Sequence, residues 1–332
     1  MFDVIAIGSA TIDIFAYTDK NRFLCIKGKK GKQCFISYPA GDKILLNTID
    51  YTTGGGGTNT AVSFSRLGFR TAYLGNIGQD NEGDKIIAEL KKENVSFIGT
   101  RGKQKTNTSI VLDSIGHDRT LLVYKEASDY LEFSRISKNN FSAKWFYFSS
   151  LIGKSFYAME RLAEFAAMCG IKVAFNPSDY QAKKGKKALK KMLGLTDLLV
   201  LNKEEAQLLL KSREENTRIL LKKLFFCGKK FIAVGITDGK NGASIYDGKT
   251  AYHLNASKNL KVVETTGAGD AFASTFVAGL ILGKPIDTCL KMAMINSESV
   301  ITHHGAKNKL LTRKEILSKL KKEKMVVKKT RI

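Results

Sequence analysis

The chain has 332 residues, 43% of them hydrophobic, and carries 54 lysines and arginines against 31 acids, for a formal charge of +23. That length and apolar content fit one large α/β domain or two smaller ones with a sizeable core. No apolar run approaches the ~20 residues that a bilayer span requires, which excludes a spanning helix from the reading.

In chain order, Met1-Phe2-Asp3-Val4-Ile5-Ala6-Ile7-Gly8 lacks the basic start and long apolar run of a signal peptide and reads as a buried first strand, residues 4–7. The strand leads into Gly8-Ser9-Ala10-Thr11-Ile12-Asp13. Asp13 thus falls just past a strand's C-terminal end, where it either accepts hydrogen bonds from substrate hydroxyls or serves as an ordinary turn residue. Residues 17–53 contain short alternating strand-like pieces with polar turns and no good helix. Gly54-Gly55-Gly56-Gly57-Thr58-Asn59-Thr60-Ala61 then opens a helix over 58–67, with Ala61, Phe64 and Leu67 as its apolar face and Gly68 past its end. The glycines permit close backbone approach, and Asn59 offers both a donor and an acceptor. The loop is neither a Walker A loop nor a dinucleotide fingerprint, whose third glycine would fall on Asn59; taken alone it serves equally well as a flexible connector.

Further strands are predicted at 71–76, 145–149, 172–176, 198–201 and 231–235, and helices at 82–93, 157–169, 184–193, 203–210, 217–224, 270–282, 286–302 and 314–322. The alternation implies an α/β fold with a mostly parallel sheet covered on both faces and ligands beyond the carboxyl ends of its strands. Residues 106–125 interrupt it with a hairpin signal: Ser109-Ile110-Val111-Leu112 and Arg119-Thr120-Leu121-Leu122-Val123-Tyr124 flank Gly116-His117-Asp118. Two such insertions are expected to form a small β-sheet lid. Asn202 and Glu205 have the spacing of a helix capping box, and Thr237, Gly239 and Gly242 that of a hairpin turn.

The most informative segment comes last. An apolar, strand-like pair, Val262-Val263, precedes Thr265-Thr266-Gly267-Ala268-Gly269-Asp270 and an apolar helix. Free N–H groups of a first helical turn attract an anion. A carboxylate at the same spot repels one, unless it is there to take a proton, so the combination points to phosphoryl transfer. An aspartate at a helix start is equally an ordinary cap. The five cysteines (Cys25, Cys34, Cys169, Cys227, Cys289) are scattered and show no C-x-x-C. They point to a reducing cytosol and argue against a zinc site or a disulfide framework. The +23 charge raises nucleic acid as a partner, but the lysines are spread along surface-type helices, densest at 319–331, with no nucleic-acid signature. A solvated surface that helps gather an anionic substrate is the expectation, with neither a nucleic-acid nor a membrane partner.

Taken together, these motifs resemble the ribokinase (PfkB) family of carbohydrate and nucleoside kinases. The resemblance rests on Gly8…Asp13, Gly54-Gly55…Asn59-Thr60-Ala61 with Arg66-Leu67-Gly68, residues 75–83, Asn202-Lys203-Glu204-Glu205, residues 237–242 and Thr265 to Asp270, in that order. It covers about residues 2–306. It implies a ribokinase-like three-layer sandwich, with core residues 1–15, 53–105 and 127–310, a lid from 16–52 and 106–126, and a basic C-terminal helix and tail at 311–332. It further implies a cytoplasmic kinase that phosphorylates a primary alcohol of a sugar, with a nucleoside as the alternative acceptor. A phosphosugar kinase and a non-catalytic binding protein are the less favoured alternatives.

By that resemblance Asp270 is the general base, and the amides of Gly267, Ala268 and Gly269 form the anion hole. Asp13, Thr11, Gly54, Gly55 and Asn59 hold the acceptor. Asn202, Thr237, Gly239 and Gly242 bind ATP, and Glu205 organises Mg²⁺ through water. Glu264 stands where the family usually has aspartate, beside a monovalent-cation loop, which leaves a K⁺ requirement open. Thr11, Gly56, Ser149, Ser150 and Glu126 also depart from the usual pattern, mostly on the acceptor side. Lid strands often pair between subunits in this family, which implies a homodimer.

Overall fold

The computed structural model describes residues 1–28, 31–113, 119–137, 141–258 and 260–332. The chain opens with β1 (Phe2–Ile7), β2 (Thr11–Tyr17), the hairpin strands β3 (Arg22–Gly28) and β4 (Gly31–Ser37), β5 (Thr48–Gly54) and α1 (Gly56–Arg66). There follow β6 (Thr71–Leu74), β7 (Asn76–Gly78), α2 (Asn81–Lys92), β8 (Val95–Phe97), β9 (Thr100–Gly102), β10 (Asn107–Asp113) and β11 (Arg119–Tyr124). The middle holds β12 (Ala143–Phe148), α3 (Gly153–Met168), β13 (Lys172–Phe175), α4 (Asp179–Ala182), α5 (Gly185–Ala188), α6 (Lys190–Leu195), β14 (Leu198–Asn202), α7 (Lys203–Leu210) and α8 (Thr217–Phe225). The chain closes with β15 (Ala233–Thr237), β16 (Ala243–Tyr246), β17 (Thr250–Leu254), α9 (Ala268–Ile281), α10 (Ile286–Val300), α11 (Arg313–Lys322) and β18 (Lys328–Arg331).

Among the described residues, ten strands form one sheet in the order β18-β17-β16-β15-β14-β13-β12-β1-β6-β8. The pairings from β8 to β15 are parallel, and β16, β17 and β18 add on antiparallel. Val4, Ile5, Ala6 and Ile7 of β1 are fully buried, the continuous apolar run that a parallel strand covered on both faces requires. One face packs Met159 and Leu162 of α3, Met192 of α6, Leu209 of α7 and Leu224 of α8. The other packs Phe64 of α1, Phe276 of α9, Leu290 of α10 and Ile316 of α11. These are the three layers expected from the alternation of strands and helices.

A separate sheet has the order β11-β10-β2-β5. Asp13 pairs with Ser109 on one side and with Thr52 on the other. It therefore lies inside β2 and is not a turn residue. The strands β3 and β4 pair with each other, with Cys25 opposite Cys34, and these two cysteines are disulfide-bonded. This corrects the expectation of no disulfide: nine residues of separation across a hairpin bring the two side chains together on one face, which a scan for C-x-x-C does not detect. It also removes the lack of disulfides as a reason for a reducing compartment.

Three other expectations are corrected. The helix expected at 184–193 forms as two short helices, α5 and α6, that meet at Leu189, and Gly185 opens the first with a positive φ of 78°. The pair Val262-Val263 forms no strand; both side chains are exposed, and the Val263 amide donates instead to the Ile301 carbonyl after α10. The lysine-rich end supplies β18, paired as Thr250↔Arg331, an edge position where charged side chains stay in water. The Gly116-His117-Asp118 turn lies outside the described residues.

Candidate active site

The carboxyl ends of β12, β13, β14 and β15 meet the start of α9 around a cavity of about 290 Å³. Asp270, Gly267, Gly269, Asn202, Glu205 and Thr237 all line it, together with Gly56. Gly267 caps α9 with φ 80°, and a Cβ there would lie 2.5 Å from Ala306 Cβ. Glycine is thus required by both the backbone conformation and the space. Ala268 is placed differently from its neighbours. Its amide donates to the Thr265 carbonyl at 3.2 Å and it does not line the cavity, so the lining part of the loop is Gly267 and Gly269.

Asp270, in the first turn of α9, accepts from Asn59 Nδ2 at 2.8 Å. Burial pushes its carboxyl up, opposed by that hydrogen bond and by the Lys307 ammonium. Asn59 is buried on α1, and its Oδ1 has no hydrogen-bond partner among the described residues. A buried acceptor atom without a donor is costly, so this one is suited to a ligand hydroxyl. Asn59 thereby ties α1 to the start of α9. Asp13 is pushed up to about 6, by burial first and then by the charges of Glu264 and Asp270, against the pull of Lys307. Gly54 lies against it: a Cβ on Gly54 would come within 2.0 Å of Asp13 Oδ2. Gly55 has φ 94°, and a Cβ there would meet the Ser9 carbonyl at 2.6 Å. Thr11 pairs with Gly54 across β2 and β5, two residues before Asp13 on the same strand.

Asn202 and Glu205 realise the capping box at the start of α7. Asn202 Oδ1 accepts from the Glu205 amide at 2.8 Å, and the Asn202 amide donates to Glu205 Oε2 at 2.9 Å. The same two residues line the cavity. Glu205 is pushed up to about 7, mainly by burial, with the charges of Asp179, Asp270 and Glu204 adding to it. Thr237 reaches the cavity, but Gly239 and Gly242 do not. Gly242 lines a neighbouring cavity of about 640 Å³ with Arg218, Ser244, His253 and Lys328, and Gly239 begins the turn between β15 and β16.

The sequence reading missed Asn176, Pro177 and Ser178 in the cavity wall. They follow β13 directly, so the rule that sites lie beyond strand ends could have found them. It also missed Lys307, one basic residue among 54 with nothing local to mark it. That side chain is 4% exposed and donates to Glu89.

Comparison with known proteins agrees with this arrangement. The model of the pfkB family of carbohydrate kinases matches residues 1–313. A sugar kinase of Archaeoglobus fulgidus, itself uncharacterised, is 28% identical over 258 residues, 75% of this chain and 98% of that protein. The structure of Arabidopsis thaliana ribokinase complexed with ribose and ATP superposes with a TM-score of 0.79 at 20% identity, covering 96% of this chain and 99% of that one. A nucleoside kinase of Methanocaldococcus jannaschii, an archaeal member of the ribokinase family, gives 0.75 at 18% identity, over 97% and 99%. The fold is thus shared along nearly the whole chain, which belongs to the pfkB family of carbohydrate kinases and is a ribokinase-like phosphotransferase.

Proposed function

We propose that this kinase transfers the γ-phosphoryl group of ATP to a primary hydroxyl of a sugar, with Asp270 as general base. The observation that carries the reading is the junction at Asn59. One amide group donates to Asp270 and leaves its oxygen, buried and without a partner among the described residues, for the acceptor. A hydroxyl that binds beside Asp13 and Asn59 lies next to the carboxylate that takes its proton. Gly267 and Gly269 line the cavity, where their amides would meet the charge that develops on the transferred group. Glu205 lines the cavity beside Asn202, so a Mg²⁺ ion held by nucleotide phosphates and water would have Glu205 beyond the water. That ion would neutralise charge on the phosphates; the protein's part is to orient the waters and the anion loop. Closure of the small sheet, as a lid formed from residues 16–52 and 106–126, would exclude water from the transfer. The acceptor end remains compatible with a nucleoside, because Phe15 shares a face of β2 with Asp13 and its ring centroid lies 6.5 Å from that of His304. We place the enzyme in the cytoplasm, where ATP is available, as a homodimer through the small sheet.

The test is ATP consumption over ribose, other sugars, sugar phosphates and nucleosides, with and without K⁺. Asp270→Asn should lower kcat by ~10³ on the acceptor so identified while ATP binding is retained. Near-normal turnover in that variant would remove Asp270 as the base.

A further inference from the structure

Lys307 lies in the loop between α10 and α11, and no step of the proposed transfer uses it. Its side chain is 4% exposed. Nζ donates to Glu89 Oε2 on α2 at 2.5 Å and to Thr53 Oγ1 on β5 at 2.6 Å, and Thr53 Oγ1 also donates to Glu89. The main chain is held as firmly. Arg66 of α1, paired with Glu93 at 2.7 Å, donates to the Lys307 carbonyl at 2.7 Å and to the Leu310 carbonyl at 3.3 Å. One ammonium thus joins the small sheet, a core helix and the loop that carries Gly305, whose amide donates to Glu264.

A buried lysine–glutamate pair is a weak way to gain stability, since desolvating two charges consumes most of their attraction and an apolar pair of the same size does as well. What an apolar pair cannot supply is charge. At the acceptor end two further carboxylates, Glu264 and Asp270, act on Asp13. The groups facing Asp13 are Lys307, Glu264 and Asp270; those facing Asp270 are Asn59 and Lys307; those facing Lys307 are Glu89, Glu93 and Asp13. Glu264 accepts from the Gly305 amide and has the exposed His304 ring at 3.8 Å.

We propose that Lys307 is a positioning residue of the acceptor end: it clamps Thr53 of the small sheet and Glu89 of α2 to the loop after α10, and it supplies the positive charge that keeps Asp13 in its acceptor-binding, ionised form. The inference rests on the reading of Asp13 as an acceptor carboxylate. Its electrostatic support is that Lys307 pulls down both Asp13 and Asp270 against their burial.

The test is titration of the aspartate carboxyls by NMR in protein labelled with ¹³C at that carbon, with the Asp13 signal identified by its loss in Asp13→Asn. The wild-type midpoint is expected at about 6. In Lys307→Met it should rise by about one pH unit, the lower end of what a nearby opposite charge contributes. Lys307→Arg keeps the charge and should keep the wild-type midpoint. Thr53→Val removes a clamp contact but no charge, so it should lower Tm and leave the midpoint in place. If Lys307→Met does not fold, the double variant with Glu89→Gln also removes the carboxylate hydrogen-bonded to Lys307 and should show the same rise. An unmoved midpoint in Lys307→Met or in the double variant overturns the proposal. So does an equal shift in Lys307→Arg or Thr53→Val, because packing and not charge would then set it. The titration needs neither nucleotide nor acceptor, so it can fail while the kinase reading stands, and that reading fails separately through Asp270→Asn.

Discussion

At the scale of single residues, the proposed acceptor end holds Asp13 at a cost to the fold. Asp13 ionises at about 6 in place of its ordinary 3.8, because burial and two neighbouring carboxylates disfavour its charge. A carboxyl raised in the folded state favours folding only while protonated. Its stabilising effect is complete below the unfolded value and is lost as pH rises through about 6. Asp13→Asn should therefore stabilise the protein above pH 6, by at most about 2 to 3 kcal/mol, and the gain should disappear by about pH 4. Calorimetric Tm values at pH 4 and pH 8 measure this; a gain that is equal at both pH values would show that the penalty is not electrostatic. The same substitution should weaken acceptor binding, the usual conflict between stability and a site built from disfavoured groups.

At the scale of elements, the anion loop depends on one left-handed residue. Gly267 has φ 80°, and Ala306 fills the space where its Cβ would stand. Gly267→Ala therefore costs about 1 kcal/mol in backbone conformation before the 2.5 Å contact is relieved, and relieving it moves the start of α9. We expect kcat to fall by ~10² in that variant, the loss typical of one displaced anion-hole donor. Gly269→Ala, where a Cβ meets nothing within 4 Å, should keep most of the turnover. Steady-state kinetics on the two variants checks the contrast. The ends of α7 show how far local signals reach. The capping box at Asn202 and Glu205 was legible as three-residue spacing, because a cap is made by a side chain and the backbone beside it. The break between α5 and α6 was not, because lysines and leucines at helical spacing read the same whether one helix forms or two short ones.

At the scale of the whole molecule, the small sheet leaves both its edge strands with exposed apolar side chains. Ile49 and Tyr51 are exposed on β5, and Leu121, Leu122, Val123 and Tyr124 on β11. An open edge with apolar side chains favours pairing with another chain. If the proposed homodimer uses this sheet, light scattering should give a dimer for the wild type, and Ile49→Glu with Tyr51→Glu should give a folded monomer. A wild-type monomer at assay concentration would dismiss the arrangement. The sequence by itself determined the layers, since buried parallel strands must be apolar along their length and the helices between them on one face. It also marked the loop from Gly267 to Asp270 proposed for phosphoryl transfer, whose glycines and aspartate are neighbours in the chain. Only the tertiary structure decided how that loop is completed. Asn59 meets Asp270 from 211 residues away, and Lys307 reaches Thr53 from 254 residues away. Such contacts leave no periodicity and no spacing in the sequence, because the folded sheet alone sets which strand ends and loops come together. The Cys25–Cys34 bond and the charge around Asp13 followed the same rule: each residue type was visible, and its chemistry was set by what the fold placed opposite it.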